Sequence, residues 1–460
     1  MSDSTNPNAT EQGVTRRWFL GAAGSVAALA SAPKLGSTAP ARKSANDKLN
    51  LAGIGFGGMG ASNLRNLESE NIVALCDVDH DYAANTFKRY PDAKVYTDYR
   101  ELLDKQKDLD AVVIATPDHT HAVISMAAMK AGKHVYCQKP LTHDVYEARS
   151  LAQAAKETGV ATQMGIQGHS MEGLRLVCEW IWDGAIGNVY EVDAWCDLSY
   201  YPWGHAGWSS KWGTRPTDTP AVPASLNWDL WLGPAPDRPY HPGYLPGNLN
   251  WNRRWDFGNG VLGDMGSHLI DLPWWALELR QPKRISAEGP TPDPLKNPEW
   301  MHATWTHAPR PGNDNLNVPV AIHWWHGGQE PQYRPKVDIP EDLTKWFNGI
   351  LFIGEKGMLL ADYGKRKLFP EEQFKDFAPP AQTLPPSLGH HREWLEAAKG
   401  RGSTLCNFEY SGSLVEHNLL GNVAFRAGEE LRWDPKALKA TNCPKADQFI
   451  RREYRKGWTI

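Results

Sequence analysis

LNLAGIGFGGMG, residues 49–60, decides the fold. Residues 49–54 read as a short buried strand that runs straight into Gly53-Ile54-Gly55-Phe56-Gly57-Gly58, a G-x-G-x-x-G, and helical sequence over 61–67 follows. A second apolar strand over 71–76 ends at Asp77, about 20 residues past the glycines, where a dinucleotide site places its acidic residue. Each part has a physical task. Gly53 permits the tight turn, Gly55 lets the backbone approach a pyrophosphate, and Gly58 lets helix and strand pack closely. The helix N-terminus offers free N–H groups and partial positive charge to phosphates. Asp77 is placed to accept hydrogen bonds from both ribose hydroxyls. That favours NAD over NADP, because a 2′-phosphate would meet a carboxylate.

The strand–helix alternation continues outward. Residues 111–115 form a fully apolar run, as a central parallel strand requires, and 116–121 (TPDHTH) follow it. Helix is expected over 122–131, strand over 134–137, helix over 145–158 and a sixth strand over 161–165. Six strands with crossover helices make a doubly wound α/β sheet. Ligands bind at the carboxyl ends of such strands. The candidate cofactor contacts are therefore Gly53, Gly55, Phe56, Gly57, Gly58, Asp77, Thr116, Pro117, His119, His121, Gln138, Lys139 and Gln163.

Two further motifs add chemistry. CQKP (137–140) follows the fifth strand, and GNGVLGDMGSHLID (258–271) lies in the second half. On a helix Asp264 and His268 share one face. A carboxylate there would fix the imidazole tautomer and favour its protonated form, which suits a general base. Lys139, beside the nicotinamide end of the sheet, would donate to a substrate oxygen. Alone, a Lys-Pro is usually a turn and an Asp/His pair usually surface electrostatics. Behind a dinucleotide fingerprint the combination is far more specific.

Together GIGFGG (53–58), ATPDHTHA (115–122), QKP (138–140) and the 258–271 run resemble the Gfo/Idh/MocA family of oxidoreductases, over nearly all of the chain after residue 47. The resemblance implies a Rossmann domain, placed at 48–168, followed by a C-terminal α+β domain at 169–460 with an open, mostly antiparallel sheet. It also implies that Lys139, Asp264 and His268 match the family's catalytic lysine, aspartate and histidine, and that the outer sheet pairs copies into a homo-oligomer. Where the family reads Glu-Lys-Pro, this chain has Gln138. The neutral neighbour removes a carboxylate that would favour protonated Lys139.

Of the 21 tryptophans, 16 lie between Trp180 and Trp325. Tyr200, Tyr201, Trp203, Trp208, Trp212, Trp251 and Trp255 sit in Gly/Pro/Asn-rich loop sequence, interleaved with Arg215, Arg253 and Arg254. Any single Trp there is most simply core filling. As a group, aromatic faces with convergent polar groups suit a carbohydrate's C–H faces and hydroxyls. Tyr200, Tyr201, Trp203, Arg254 and Trp255 are the candidate substrate contacts.

Residues 1–32 read as an export signal: Arg16-Arg17 precedes an apolar stretch of small residues ending in Ala28-Leu29-Ala30, which resembles the bacterial twin-arginine type. Pro33 favours cleavage after Ala30 over Ala32. Residues 33–47 are an Ala/Ser/Pro-rich linker, and the destination implied is the periplasm. The 460 residues are too many for one ordinary core, and a net charge of −4 gives no basic footprint for nucleic acid. No apolar run reaches the roughly 18 residues of a membrane span. The six cysteines are scattered and read as core residues. His323 and His326 flank two tryptophans without the carboxylates of a metal site, so no metal is expected.

The leading expectation is an NAD-dependent oxidoreductase that removes hydride from a sugar or glycoside hydroxyl with a tightly retained cofactor. His268 would take the proton, Lys139 would steady the alkoxide and Asp264 would orient His268. A redox-neutral glycosidase, which oxidises, eliminates, hydrates and reduces within one glycoside, is the alternative. A non-catalytic sugar and NAD binder is the third.

Overall fold

The computed structural model describes residues 48–197, 216–245, 249–327 and 338–460. The expected export signal and linker, and Tyr200, Tyr201, Trp203, Trp208, Trp212 and Arg215, lie outside the described residues.

The first sheet has strands β1 (Asn50–Ile54), β2 (Asn71–Cys76), β3 (Lys94–Tyr96), β4 (Ala111–Ile114), β5 (His134–Gln138) and β6 (Thr162–Gly165). They lie in the order β3-β2-β1-β4-β5-β6, and every pair is parallel. The crossovers are α1 (Met59–Arg65), α2 (His80–Arg89), α3 (Tyr99–Lys105), α4 (Asp118–Lys130) and α5 (Val145–Thr158). Local sequence sets their ends. Asp79 and Asp98 cap α2 and α3, Asp144 and Glu147 form a capping box on α5, and Gly159 ends α5 in the left-handed region at φ 65°. β4 is buried throughout, as its apolar run requires. The short β3 was not locatable from the pattern, because KVY has two exposed positions and no apolar run. Strand order reverses between β1 and β4, which opens a crevice at their carboxyl ends.

The second sheet has nine strands: β7 (Val189–Cys196), β8 (Arg284–Glu288), β9 (Met301–His307), β10 (Val320–His326), β11 (Asn348–Gly354), β12 (Gly357–Ala361), β13 (Arg366–Phe369), β14 (Leu431–Asp434) and β15 (Lys439–Ala440). Their order is β13-β12-β11-β7-β10-β9-β8-β14-β15. Only β7 and β10 run parallel; the other pairs are antiparallel. Burial alternates along β9 and β10, with Trp305 and Trp324 on the fully buried face. That face packs into the main core with α6 (Glu172–Trp182), α9 (Asp271–Ala276) and the long α11 (Phe408–Ala427).

The chain crosses back onto the first sheet three times. Trp394 and Leu395 of α10 (His390–Ala398) complete a core with Leu51, Phe56, Leu75, Val113 and Tyr136. The described residues 216–245 and 249–257, which include α7 (Trp228–Leu232), dock by backbone bonds. His80 donates to the carbonyl of Ser225 at 3.0 Å, and Asn227 donates to that of Val78 at 2.8 Å. Their own apolar cluster holds Trp231, Tyr244, Trp251 and Phe257. Past α12 (Asp447–Ile450), residues 451–460 return along α5 and α7. All six cysteines are buried and free. Among the described residues no helix is long and apolar enough to cross a membrane.

Candidate active site

A cleft of about 410 Å³ lies over the carboxyl ends of β1 to β5, within the size range of small-molecule sites. Its floor is the glycine loop. Gly55 has φ +76°, and a Cβ there would lie 2.7 Å from the Thr116 methyl and 2.9 Å from the Ala115 carbonyl carbon, so only glycine fits. The tight turn thus belongs to Gly55, while Gly53 lies within β1. The close approach of helix to strand falls to Gly60, where a Cβ would sit 2.1 Å from the Gly55 carbonyl oxygen. Gly58, to which the spacing assigned that task, faces only the tip of Tyr82.

Asp77 lies in the cleft wall and is buried. Its Oδ2 accepts from Phe56 N at 2.9 Å and its Oδ1 from Asp79 N at 3.0 Å. The carboxylate therefore ties the end of β2 to the glycine loop. Burial pushes its pKa up to about 6, against the lowering effect of those backbone donors. A glycine-rich loop whose one large side chain, Phe56, is turned into the core, beside a buried acidic residue, fits the pyrophosphate and ribose of a dinucleotide. Thr116, Pro117, Gln138 and Lys139 line the same cleft further along.

At that far end Lys139 forms an ion pair with Asp264, with side-chain exposures of 15% and 3%. The lysine comes from the loop after β5 and the aspartate from a π-helical turn, Leu262–Gly266, that precedes α8 (Ser267–Leu269). The expected α-helical spacing of Asp264 and His268 is thus replaced by a wider turn, and the carboxylate reaches across to Lys139. His268 is half-buried. Burial, and then Lys139, push its pKa down to about 4, outweighing Asp264 and Asp271. The expected bias towards an imidazolium is reversed: these surroundings favour the neutral ring.

Asp118, at the head of α4, was not singled out from sequence. It lines the cleft, is buried, and accepts from Asn259 N at 3.3 Å. Burial holds its carboxyl well above the usual range, with Lys139 opposing and Asp264 reinforcing the shift. Beside the Lys139–Asp264 pair there is thus a second carboxyl, that of Asp118, inclined to stay neutral. His169 was also missed. Its Nδ1 lies 2.9 Å from Asp271 Oδ2, Trp275 stacks on it at 3.9 Å, and Tyr410 donates to Asp271 Oδ1 at 2.6 Å. The Asp271 that closes the 258–271 motif was the only signal for this buried group.

Several expected contacts turn away from the cleft. His119 is fully buried, its ring nitrogens 3.3 Å and 2.9 Å from the carbonyls of Phe257 and Trp231, so it pins the docked segment. His121 lies between the carbonyls of Pro140 and Thr116, at 2.8 Å and 2.7 Å, and braces the two loops that carry Lys139 and Pro117. Gln163 donates to the His390 carbonyl at 2.5 Å and anchors α10. Trp255 packs in the main core and donates to the Asp293 carbonyl at 3.0 Å. Arg254 is buried at an antiparallel bridge to Lys296. The aromatic residues that do wall the cleft are Phe56, Tyr82, Tyr99, Trp231, Trp251 and Trp458.

Comparison with known proteins agrees with this geometry. Residues 49–166 match the model of an oxidoreductase family's NAD-binding Rossmann fold, and residues 196–308 match that family's C-terminal alpha/beta domain. The chain is 27% identical over 199 residues to levoglucosan dehydrogenase of Pseudarthrobacter phenanthrenivorans, covering 43% of this chain and 40% of the relative. It is 32% identical over 111 residues to inositol 2-dehydrogenase of Salmonella typhimurium, covering 23% of this chain and 33% of the relative. The matched stretches thus span well under half of these relatives. The WlbA dehydrogenase from Bordetella pertussis, solved with NADH and UDP-GlcNAcA, superposes with a TM-score of 0.57 at 15% identity, covering 84% of this chain and 99% of that one. A levoglucosan dehydrogenase solved with NADH and L-sorbose gives 0.55 at 16% identity, with 84% and 98% covered. Likeness at that level speaks for the fold.

Proposed function

The chain belongs to the Gfo/Idh/MocA oxidoreductase family, and from that premise we propose that it oxidises a hydroxyl of a sugar or glycoside with a tightly retained NAD. The carrying observation is one continuous cleft. It starts at the glycine loop and Asp77 and ends at Lys139, paired with Asp264, with a neutral His268 on the following turn. Gly55, Gly57, Gly58, Asp77, Thr116 and Pro117 would hold the dinucleotide. Bound NAD supplies the hydride acceptor and, on return, the donor. His268 takes the hydroxyl proton on its neutral ring. The Lys139 ammonium steadies the negative charge that grows on the oxygen, and Asp264 holds that ammonium in place. Levoglucosan and inositol, named for the relatives, support a polyhydroxylated ring as substrate.

The apolar lining of the cleft supports closed redox cycles. Leu230, Trp231, Leu245, Leu249, Trp251 and Trp458 line it, and an NAD seated against them would be restored in place rather than exchanged at each turnover. Residues 1–32 would carry the protein out by the twin-arginine route, already folded and loaded, to a compartment with little free NAD. The domain 169–460 would bring the substrate and pair copies across its outer sheet. Two closed cycles satisfy this: exchange between two sugars, or oxidation, elimination, hydration and reduction within one glycoside. Turnover in heavy water without added NAD separates them. The glycosidase form releases the aglycone and places deuterium next to the oxidised carbon. The oxidoreductase form oxidises one sugar and reduces another in equal amount. Steady growth of NADH from added NAD would contradict both.

A further inference from the structure

We propose that residues 451–460 form a clasp whose Trp458, together with Tyr99, makes the wall that holds the adenine ring of the dinucleotide; this rests on the NAD reading above. The fold orients the cleft. An acidic residue after β2 serves the adenosine ribose, so Asp77 marks the adenosine half. Beyond it, at the end of β3, the cleft is lined by Thr97, Asp98 and Tyr99, and Trp458 lines it beside Tyr99. An adenine ring is a flat π-system that gains most from aromatic faces, without needing base-specific hydrogen bonds.

Trp458 is fixed on one side and borders the cleft on the other. Its ring centroid lies 6.3 Å from that of Tyr99 at an interplanar angle of 37°, and the Arg100 guanidinium sits 4.9 Å over it. Its Cη2 is 3.8 Å from where a Cβ on Gly233 would lie. The indole remains half-buried rather than sunk in the core.

The rest of the segment is pinned at both ends of the roof. Arg452 Nη2 donates to Glu147 Oε1 at 2.7 Å and to the His119 carbonyl at 2.6 Å, and Tyr454 Oη donates to the same Glu147 oxygen at 2.6 Å. Arg455 N donates to the Pro234 carbonyl at 3.1 Å, and Arg455 Nη2 donates to the Asp229 carbonyl at 2.7 Å. Trp458 N closes a turn onto the Arg455 carbonyl at 3.1 Å. Glu147 is fully buried, so this anchor is costly to break. The segment thus bridges α5 and α7 and delivers one aromatic ring to the cleft edge at a set position.

Equilibrium titration of the full chain, stripped of nucleotide, with NAD, ADP-ribose and nicotinamide mononucleotide tests the assignment. For Trp458→Ala, the Kd values for NAD and ADP-ribose should rise in parallel by about 5- to 100-fold, the worth of one lost stack. Nicotinamide mononucleotide should bind as before. Trp458→Phe should keep both dinucleotide-type ligands within about threefold, and it keeps the test open should the alanine variant unfold. Unchanged ADP-ribose binding by Trp458→Ala overturns the clasp and leaves the NAD reading intact. Equal weakening of all three ligands overturns the adenine assignment. Failure of the unaltered protein to bind NAD overturns both.

Discussion

The two ends of the cleft are built on different principles. The adenosine and pyrophosphate end is local: Gly55, Gly57, Gly58 and Asp77 come from one strand–helix–strand unit, and their work is largely backbone shape. The reacting end is assembled from both halves of the chain. Lys139 and its partner Asp264 are 125 positions apart, and their pairing depends on charges that neither segment holds alone. On the proposed reading, holding the nucleotide and turning over the substrate would be separable, so that each end could be damaged without the other.

The largest separation should come from the reacting end. Lys139→Ala and His268→Ala should each lower kcat by about 100- to 10,000-fold, the usual worth of a positioned acid or base. The nucleotide recovered per chain should stay within about twofold. Asp264→Asn should be milder, at about tenfold, because Lys139 keeps Asp118 nearby. Near-normal turnover by His268→Ala would move the base elsewhere. At the other end, Gly55→Val should reverse the pattern: a folded protein, judged by circular dichroism, that loses more than about 90% of its nucleotide because a side chain at φ +76° meets Thr116. Smaller again, Asp77→Ala should weaken NAD by about tenfold, as expected for lost charge-assisted hydrogen bonds, and narrow the preference over NADP.

Two pH effects are the finest test of the comparison. Burial raises Asp77 to about 6, so the acceptor carboxylate is complete only above that value. NAD affinity should rise a few-fold with pH through about 6 and then level. The nucleotide-free fold behaves in the opposite sense: the contribution of this group to stability is present below its unfolded value and lost as pH rises through about 6. His268 is depressed to about 4, so the acid limb of kcat/KM should lie well below the ordinary imidazole range, with activity lost only as the ring gains its proton. An acid limb near 6.5 would place the base on a less buried ring.

What was legible in the sequence follows the same division. The glycine loop, Asp77, the apolar β4 and the capped helices are local patterns, and they located the first sheet and its crevice. β3 escaped because a three-residue strand with exposed positions has no period to read. The proposed reacting residues were visible as motifs, but their geometry was not. Nothing in GDMGSH reveals a π-helical turn, and a carboxylate read as serving His268 is taken by Lys139. His119 and His121 look alike on paper, at the end of a strand where ligands bind. Tertiary packing aims both at backbone carbonyls instead. Gln163 and Trp255 were misplaced for the same reason, since α10 and the main core claim them. Trp458 carries no local pattern at all; it reaches the cleft only because residues 451–460 cross the molecule.

If this cleft holds a resident NAD, protein purified without added cofactor must release it on denaturation. Close to one NAD or NADH per chain, identified by mass, is the predicted result. A folded, active preparation that releases no nucleotide, or one that releases NADP, would contradict it.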